Sequence, residues 1–142
     1  MDTETPFNAA ERAYLRGQSL GRLATTGPDG GPQVRPVGFR LNEDGTIDIG
    51  GPRLSGSQKF RNAAERPQVS FVVDDMTPAD DEEAVAPGRG RGVEIRGVAE
   101  VLRDVDPPLA PDFFSREVIR VHPRRIISWH LEPEGGRSRS VA

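Results

Sequence analysis

Cysteine is absent from this 142-residue chain, and lysine, tryptophan and tyrosine each occur once. Without cysteine there is no disulfide framework, no thiolate metal site and no thiol nucleophile. Histidine occurs only twice, as His122 and His130, at a spacing that matches no helical pair of zinc ligands. No apolar run approaches membrane-spanning length, and the first residues are acidic rather than signal-like. A cytoplasmic protein that uses no membrane is therefore expected. The net charge of -3 and pI near 5.4 argue against a chain built to coat nucleic acid. Apolar residues make up only 35%. A chain this size can bury a core, but it gains from sharing one with a second copy.

The stretch Ile49 to Pro67 stands out among the features that are present. Thr46 to Ile49 alternates as a strand and stops at Gly50-Gly51-Pro52. Ser55, Gly56 and Ser57 offer an N-cap to a short helix, expected over Ser57–Glu65, that ends before Pro67. A strand feeding a helix N-terminus leaves unpaired backbone N–H groups and a partial positive charge, which suits an anion. Ser55, Ser57, Arg53 and Lys59 surround that point. The stretch reads equally as an ordinary capped helix with a solvated polar face.

The rest of the chain reads as one domain rich in strands. Residues 1–6 form a loose tail. Asn8-Ala9-Ala10-Glu11 fits a capping box, opening a helix that stops at Gly17 with Tyr14 and Leu15 buried. Ser19–Thr26, Pro32–Leu41 and Thr46–Ile49 are joined by Gly/Pro/Asp turns into a meander. Gln68–Val73 and Val93–Leu102 are further strands around a long loop, 76–92, with an acidic first half and a Gly/Arg second half. A short helix is expected over Asp112–Arg116. Val118–Val121 and Ile126–Leu131 form a strand pair or one interrupted strand. Phe113 and Phe114 read as a hydrophobic plug, and 134–142 as a tail with nothing to bury. This pattern predicts a mainly β fold, a small barrel decorated by short helices.

Several motifs fail on context. Gly17-Gln18-Ser19-Leu20-Gly21 matches the hydrolase elbow, but a helix precedes it and a strand follows, the reverse of the required order. No phosphate-binding glycine loop surrounds Lys59. Gly88–Gly92 is a single Gly/Arg run without interleaved aromatics. Asp80–Glu83 lacks calcium-loop spacing, so no metal site is expected. Trp129 reads as a core or interface residue.

The motifs also occur in a recognisable order. Leu23-Ala24-Thr25, Asp29-Gly30-x-Pro32-x-Val34-x-Pro36-Val37-x-Phe39, Ile49-Gly50-Gly51, Ser57-x-Lys59-x-Arg61-Asn62, Pro67-x-Val69, Arg96-Gly97-x-Ala99-Glu100 and Arg125-Ile126-Ile127-Ser128-Trp129 follow one another. From Phe7 to Leu131 the chain resembles the pyridoxamine 5'-phosphate oxidase-like split β-barrel family, and within it the small actinobacterial members that use the deazaflavin coenzyme F420. The resemblance implies a six-stranded antiparallel split barrel and a homodimer with two cofactor sites at its interface. It implies a hydride-transferring oxidoreductase acting on a small organic molecule. Arg35, Pro36, Val37 and Gly38 would lie along the cofactor ring, with Gly51 nearby. Ser57 and Lys59 would meet its phosphate, with Ser55 beside them at the helix start, Arg53 and Arg61 would reach a longer anionic tail, and Trp129, from the partner subunit or its own, would pack near the ring. Family members often have a basic residue where Gln58 stands and a glycine where His130 stands. His130 would then narrow the pocket or place an imidazole near the substrate, and protonation would come from water or from His130, the candidate catalytic residue. Two alternatives keep the fold: an FMN-dependent oxidase or reductase, and a non-catalytic binder of deazaflavin or haem with His122 or His130 as axial ligand.

Overall fold

The computed structural model describes residues 5–141. The tail expected at 1–6 therefore lies mostly outside the described residues, as does Ala142. Asn8 caps α1 (Ala9–Arg16) through a full capping box with Glu11, and Gly17 ends the helix. Three consecutive antiparallel strands follow, β1 (Leu20–Thr26), β2 (Pro32–Leu41) and β3 (Ile47–Gly50). The Gly/Asp turns expected between them supply the tight reversals, with Gly30 at φ 84 and Gly45 at φ 89. After β3 comes a 3-10 turn, Leu54–Gly56, and then α2 (Gln58–Glu65). The chain continues as β4 (Gln68–Met76), β5 (Gly90–Arg103), β6 (Glu117–Trp129) and β7 (Arg137–Ser140).

The sheet runs β3-β2-β1-β4-β5-β6-β7, and β3 also pairs with β6. That second pairing closes β1 to β6 into a six-stranded antiparallel barrel, with β7 as an outer strand. Closure removes the free edges a flat sheet would expose. Alternate residues of each strand point into the barrel, where Leu23, Phe39, Ile49, Phe71, Ile95 and Ile126 are buried. The Phe39 and Phe71 rings meet edge to face, centroids 5.1 Å apart.

Helix α2 plugs one mouth of the barrel. Phe60 and Ala63 are buried beneath it. Asn62, fully buried, donates to Thr25 Oγ1 at 3.0 Å and to Gln33 Oε1 at 2.9 Å. Arg66 Nε donates to the Thr26 carbonyl at 2.8 Å. These bonds fix α2 against the β1–β2 hairpin and so decide which strand residues its basic N-terminal turn can face. Ser57 is the N-cap: its Oγ accepts from Phe60 N at 3.3 Å and donates to Leu54 O at 2.6 Å. Ser57→Ala should cost about 1 kcal/mol, measured as a lower midpoint in thermal unfolding.

Four expectations need correction. The segment Asp112–Arg116 is a turn, not a helix. Pro107, Pro108 and Pro111 precede it, Ala110 is left-handed at φ 44, and Phe113 and Phe114 both donate to the Ala110 carbonyl. Phe113 is no plug, being 68% exposed. The connection between β4 and β5 is shorter than 76–92, because Met76 pairs with Gly90, Asp75 with Arg91 and Asp74 with Gly92. The segment 134–142 is not idle: Arg137–Ser140 pair with Arg125–Ser128, and Arg139 bonds Glu11. Of the two forms expected for the last strand, one continuous strand is found, with a register shift opposite Arg96 and Gly97.

Candidate functional site

The turn leading into α2 is built by residues distant in sequence. Ser115 Oγ accepts the Leu54 N–H at 2.9 Å and donates to Gly51 O at 3.1 Å. The Ser115 N–H also reaches Gly51 O, at 3.0 Å. The Glu117 carboxylate accepts the Ser55 N–H at 3.0 Å. Hydrogen bonds from the Ser55 side chain and backbone, with help from Ser115 and Arg103, hold the Glu117 carboxyl below its ordinary value despite some desolvation. Arg53 adopts a left-handed conformation at φ 49 to enter the 3-10 turn.

These contacts redistribute the expected anion site. The Ser55 end of the turn already faces a carboxylate and would repel an anion. Ser57 is committed to capping. Arg61 is engaged locally, donating to Gly56 O at 2.8 Å and to Gln58 Oε1 at 3.0 Å. Arg53 is exposed. Lys59 and Arg35 remain. The register of β1 and β2 puts Arg35 opposite Leu23, on the same side of β2 as Val37 and Phe39 and therefore toward α2. Burial lowers the Lys59 pKa, and the nearby positive charge of Arg35 lowers it further. Neither residue has an acidic partner within ion-pair distance among the described residues. Lys59 is half-buried and Arg35 exposed, and an anion between these two like charges would be stabilised by both.

The proposed ring strand is open on only part of its length. Val34 and Pro36 face outward and are exposed, Val34 at 64%. Val37 is buried in the core. Gly38 and Gly50 are paired across β2 and β3, and the 104–116 loop lies over both. A methyl group at Gly50 would stand 2.7 Å from Pro108 Cδ and 2.8 Å from Phe114 Cδ2, and one at Gly38 would stand 3.1 Å from Leu109 Cδ1. Phe114 thus packs on two glycines that sequence inspection did not connect to it.

Trp129 and His130 lie elsewhere in the chain. Trp129 pairs with Gly92, and β1, β4 and β5 separate its strand from β2 along that arc of the barrel. It has the outward parity of Ile127, whereas Arg35 has the inward parity of Val37. His130 is left-handed at φ 54, and its Nδ1 stands 2.7 Å from the Gly90 carbonyl. A carbonyl only accepts, so Nδ1 carries the hydrogen and Nε2 is the free position. Beside it, Tyr14 OH donates to Asp75 at 2.7 Å, and Arg91 Nε donates to the same carboxylate at 2.8 Å. Burial, reinforced by the hydrogen bond to Asp75, raises the Tyr14 pKa well above the tyrosine range. His122 Nε2 is 2.9 Å from Glu100 on the barrel surface.

One cleft of the single chain, about 460 Å3, is lined by none of the expected site residues. It lies over the outer face of β1, β4 and β5. Among the described residues no helix is long and apolar enough to cross a membrane.

A closed six-stranded antiparallel barrel with a helix at one mouth is a split barrel, and a reductase at 45% identity places it among the oxidoreductases. The chain belongs to the pyridoxamine 5'-phosphate oxidase family, whose model matches residues 7–130. It is 45% identical over 128 residues to the 5a,11a-dehydrotetracycline/5a,11a-dehydrooxytetracycline reductase of Streptomyces rimosus, across 89% of this chain and 85% of that one. Among solved structures it is similar to an F420 reductase, at 24% identity and TM-score 0.60 over 84% of this chain and 98% of that one, a likeness of fold alone. It is also similar to the FAD binding protein of Mycobacterium smegmatis, at 25% identity and TM-score 0.56 over 94% and 95% of the two chains.

Proposed function

We propose that this chain is a coenzyme F420-dependent reductase that delivers a hydride to an electron-poor carbon–carbon double bond in a polycyclic enone of the tetracycline type. The observation that carries the reading is the Lys59–Arg35 pair, two cations without an acidic partner among the described residues, beside the start of α2 in a member of this family. The 45% identical reductase supports the substrate class, and the ordered motifs from Leu23 to Trp129 support the deazaflavin. The chain has no cysteine, so no thiol is available to carry the chemistry. When bound, the cofactor supplies the hydride. The residues of the chain bind and orient: Lys59 and Arg35 hold the phosphate, and the exposed edge of β2 at Val34 and Pro36 receives the ring.

The working unit in this reading is a homodimer. Leu20, 56% exposed, and Val34, 64% exposed, stand on the outer faces of neighbouring strands. Trp129 stands on the outer face of the barrel, as Val34 and Pro36 do, and in this reading the tryptophan and the adjacent histidine of a second copy complete the site. With the His130 Nδ1–H held by the Gly90 carbonyl, Nε2 carries a proton only when the ring is the imidazolium, and from that form a proton would pass from Nε2 to the substrate carbon next to the carbonyl, leaving the neutral imidazole.

FMN is the runner-up cofactor, because a two-cation corner recognises a phosphate whatever ring it carries. Titrating the purified protein with F420 and with FMN decides between them. The reading expects F420 to bind at least tenfold tighter, and the reduced cofactor to be consumed on adding a dehydrotetracycline. Tighter FMN binding, or no turnover with such an enone, would replace it.

A further inference from the structure

The large cleft on the outer face of the sheet is floored by Ala24, Ser70 and Gln68, with Arg96 and Arg124 on its wall. Its basic wall is produced by a bulge. Arg96 pairs with Arg125 and Gly97 with Pro123, so Arg124 is an extra residue on β6. Bulges re-aim the side chain at the irregular position. Gly97 is required there, because a Cβ would run into the His122 carbonyl. Arg96 pairs with Glu94 at 2.9 Å, Arg125 donates to Ser138 and Ser140, and Arg124 donates only to the adjacent Pro123 carbonyl. Of these three arginines on neighbouring strands, only Arg96 has a carboxylate partner among the described residues.

The opposite charge lies at the far end of the same hairpin. Asp80, Asp81, Glu82 and Glu83 sit in the loop joining β4 to β5. None of the four is in an ion pair among the described residues, and the Asp81 carboxylate accepts only the Glu83 N–H. The loop is tied at its base by Thr77 N to Arg89 O and Gly88 N to Thr77 O. Gln68, at the cleft, and Met76, at the loop, are eight residues apart on β4, roughly 26 Å at strand rise. Val72 stands midway, pointing outward between them. A twofold axis across Val72 would lay the loop of one copy over the cleft of the other, twice, with the exposed Leu20 and Val34 alongside.

We propose that the acidic loop Asp80–Glu83 of a second copy of this chain docks on the Arg96–Arg124 cleft and sets the register of the dimer. This rests on the homodimer reading above, and it adds which surfaces meet. Such pairing is isologous, so each contact is counted twice. Exposed charges of this kind are worth about fivefold in affinity at most per pair.

Sedimentation equilibrium of the full chain at low and high salt tests it. Arg124→Glu should weaken the dimer about tenfold or more at low salt, with an unchanged thermal midpoint when measured on the monomer. Adding Asp81→Lys in the same chain should restore the dimer to within about threefold of the original. Wild-type dimerisation should weaken as salt rises. A dimer indifferent to Arg124→Glu, or one that the second substitution fails to restore, overturns this register and leaves the homodimer standing. The latter result would point to a small anion in the cleft. A wild-type chain that remains monomeric defeats the homodimer itself.

Discussion

Replacing Arg139 with methionine should lower the stability of the protein by about 3 kcal/mol near neutral pH, the scale of a buried ion pair deprived of one partner. Arg139 lies in β7, and its guanidinium donates to Glu11 Oε2 at 3.0 Å and to Glu11 Oε1 at 2.6 Å. The Glu11 side chain has no solvent exposure. Burial raises its pKa, but Arg139, the Asn8 backbone N–H and Ser128 outweigh that and hold it below the ordinary glutamate value of 4.5. Without Arg139 the carboxylate keeps only its bonds from Asn8 and Ser128 in the interior. The midpoint of thermal unfolding should fall by roughly 10 °C for a chain of this size.

The pH dependence has a definite sign. A carboxyl whose folded pKa lies below its unfolded value stabilises above about pH 4.5 and loses that contribution as pH falls through the folded value. The gap between the parent and Arg139→Met should therefore be full at pH 7 and shrink below pH 4.5. Glu11→Gln should cost less, because the Arg139 side chain is 32% exposed and water can solvate it. Urea melts of the two single variants and the double variant measure the coupling. Equal, small losses in both singles would mean that β7 merely lies beside the barrel.

The second large effect concerns the cofactor. Lys59→Ala should weaken binding of the phosphate-bearing cofactor by about 1–3 kcal/mol, or roughly five- to 150-fold, the range for a lost charge-assisted hydrogen bond. Arg35→Ala should act on the same anion, so the double variant should lose less than the sum of the singles. Ser55→Ala should change affinity by less than about twofold, because its end of the turn faces Glu117. Fluorescence titration of the four proteins reads all of this. A loss at Ser55 equal to that at Lys59 would return the anion to the turn itself.

Much of the fold was legible because its signals are local. The Asn8–Glu11 capping box, the alternation in Pro32–Leu41 and the Gly/Asp turns each lie within a few residues, and each is found in the structure. Strand β7 was not legible. Arg-Ser-Arg-Ser carries no apolar face, and it is held by backbone pairing to β6 and by a glutamate 128 positions away. The plug at Phe114 was half legible: the hydrophobic pair is plain in the sequence, but the glycines that receive it, Gly38 and Gly50, are identified only by strand register. The same limit applied at the α2 turn. Its helix start and Lys59 were readable, whereas the occupation of its Ser55 end by Glu117, 62 residues on, was not. In the proposed reading, that one carboxylate is why the anion is assigned to Lys59 and Arg35 rather than to the serines.

The most direct measurement is the affinity of the protein for FMN and for riboflavin, which differ by the phosphate alone, in the parent and in Lys59→Ala. A two-cation corner predicts that the parent prefers FMN by about twentyfold or more and that the preference falls to within about threefold in the variant. Equal affinity of the parent for the two compounds, or a preference that survives the loss of Lys59, would contradict it.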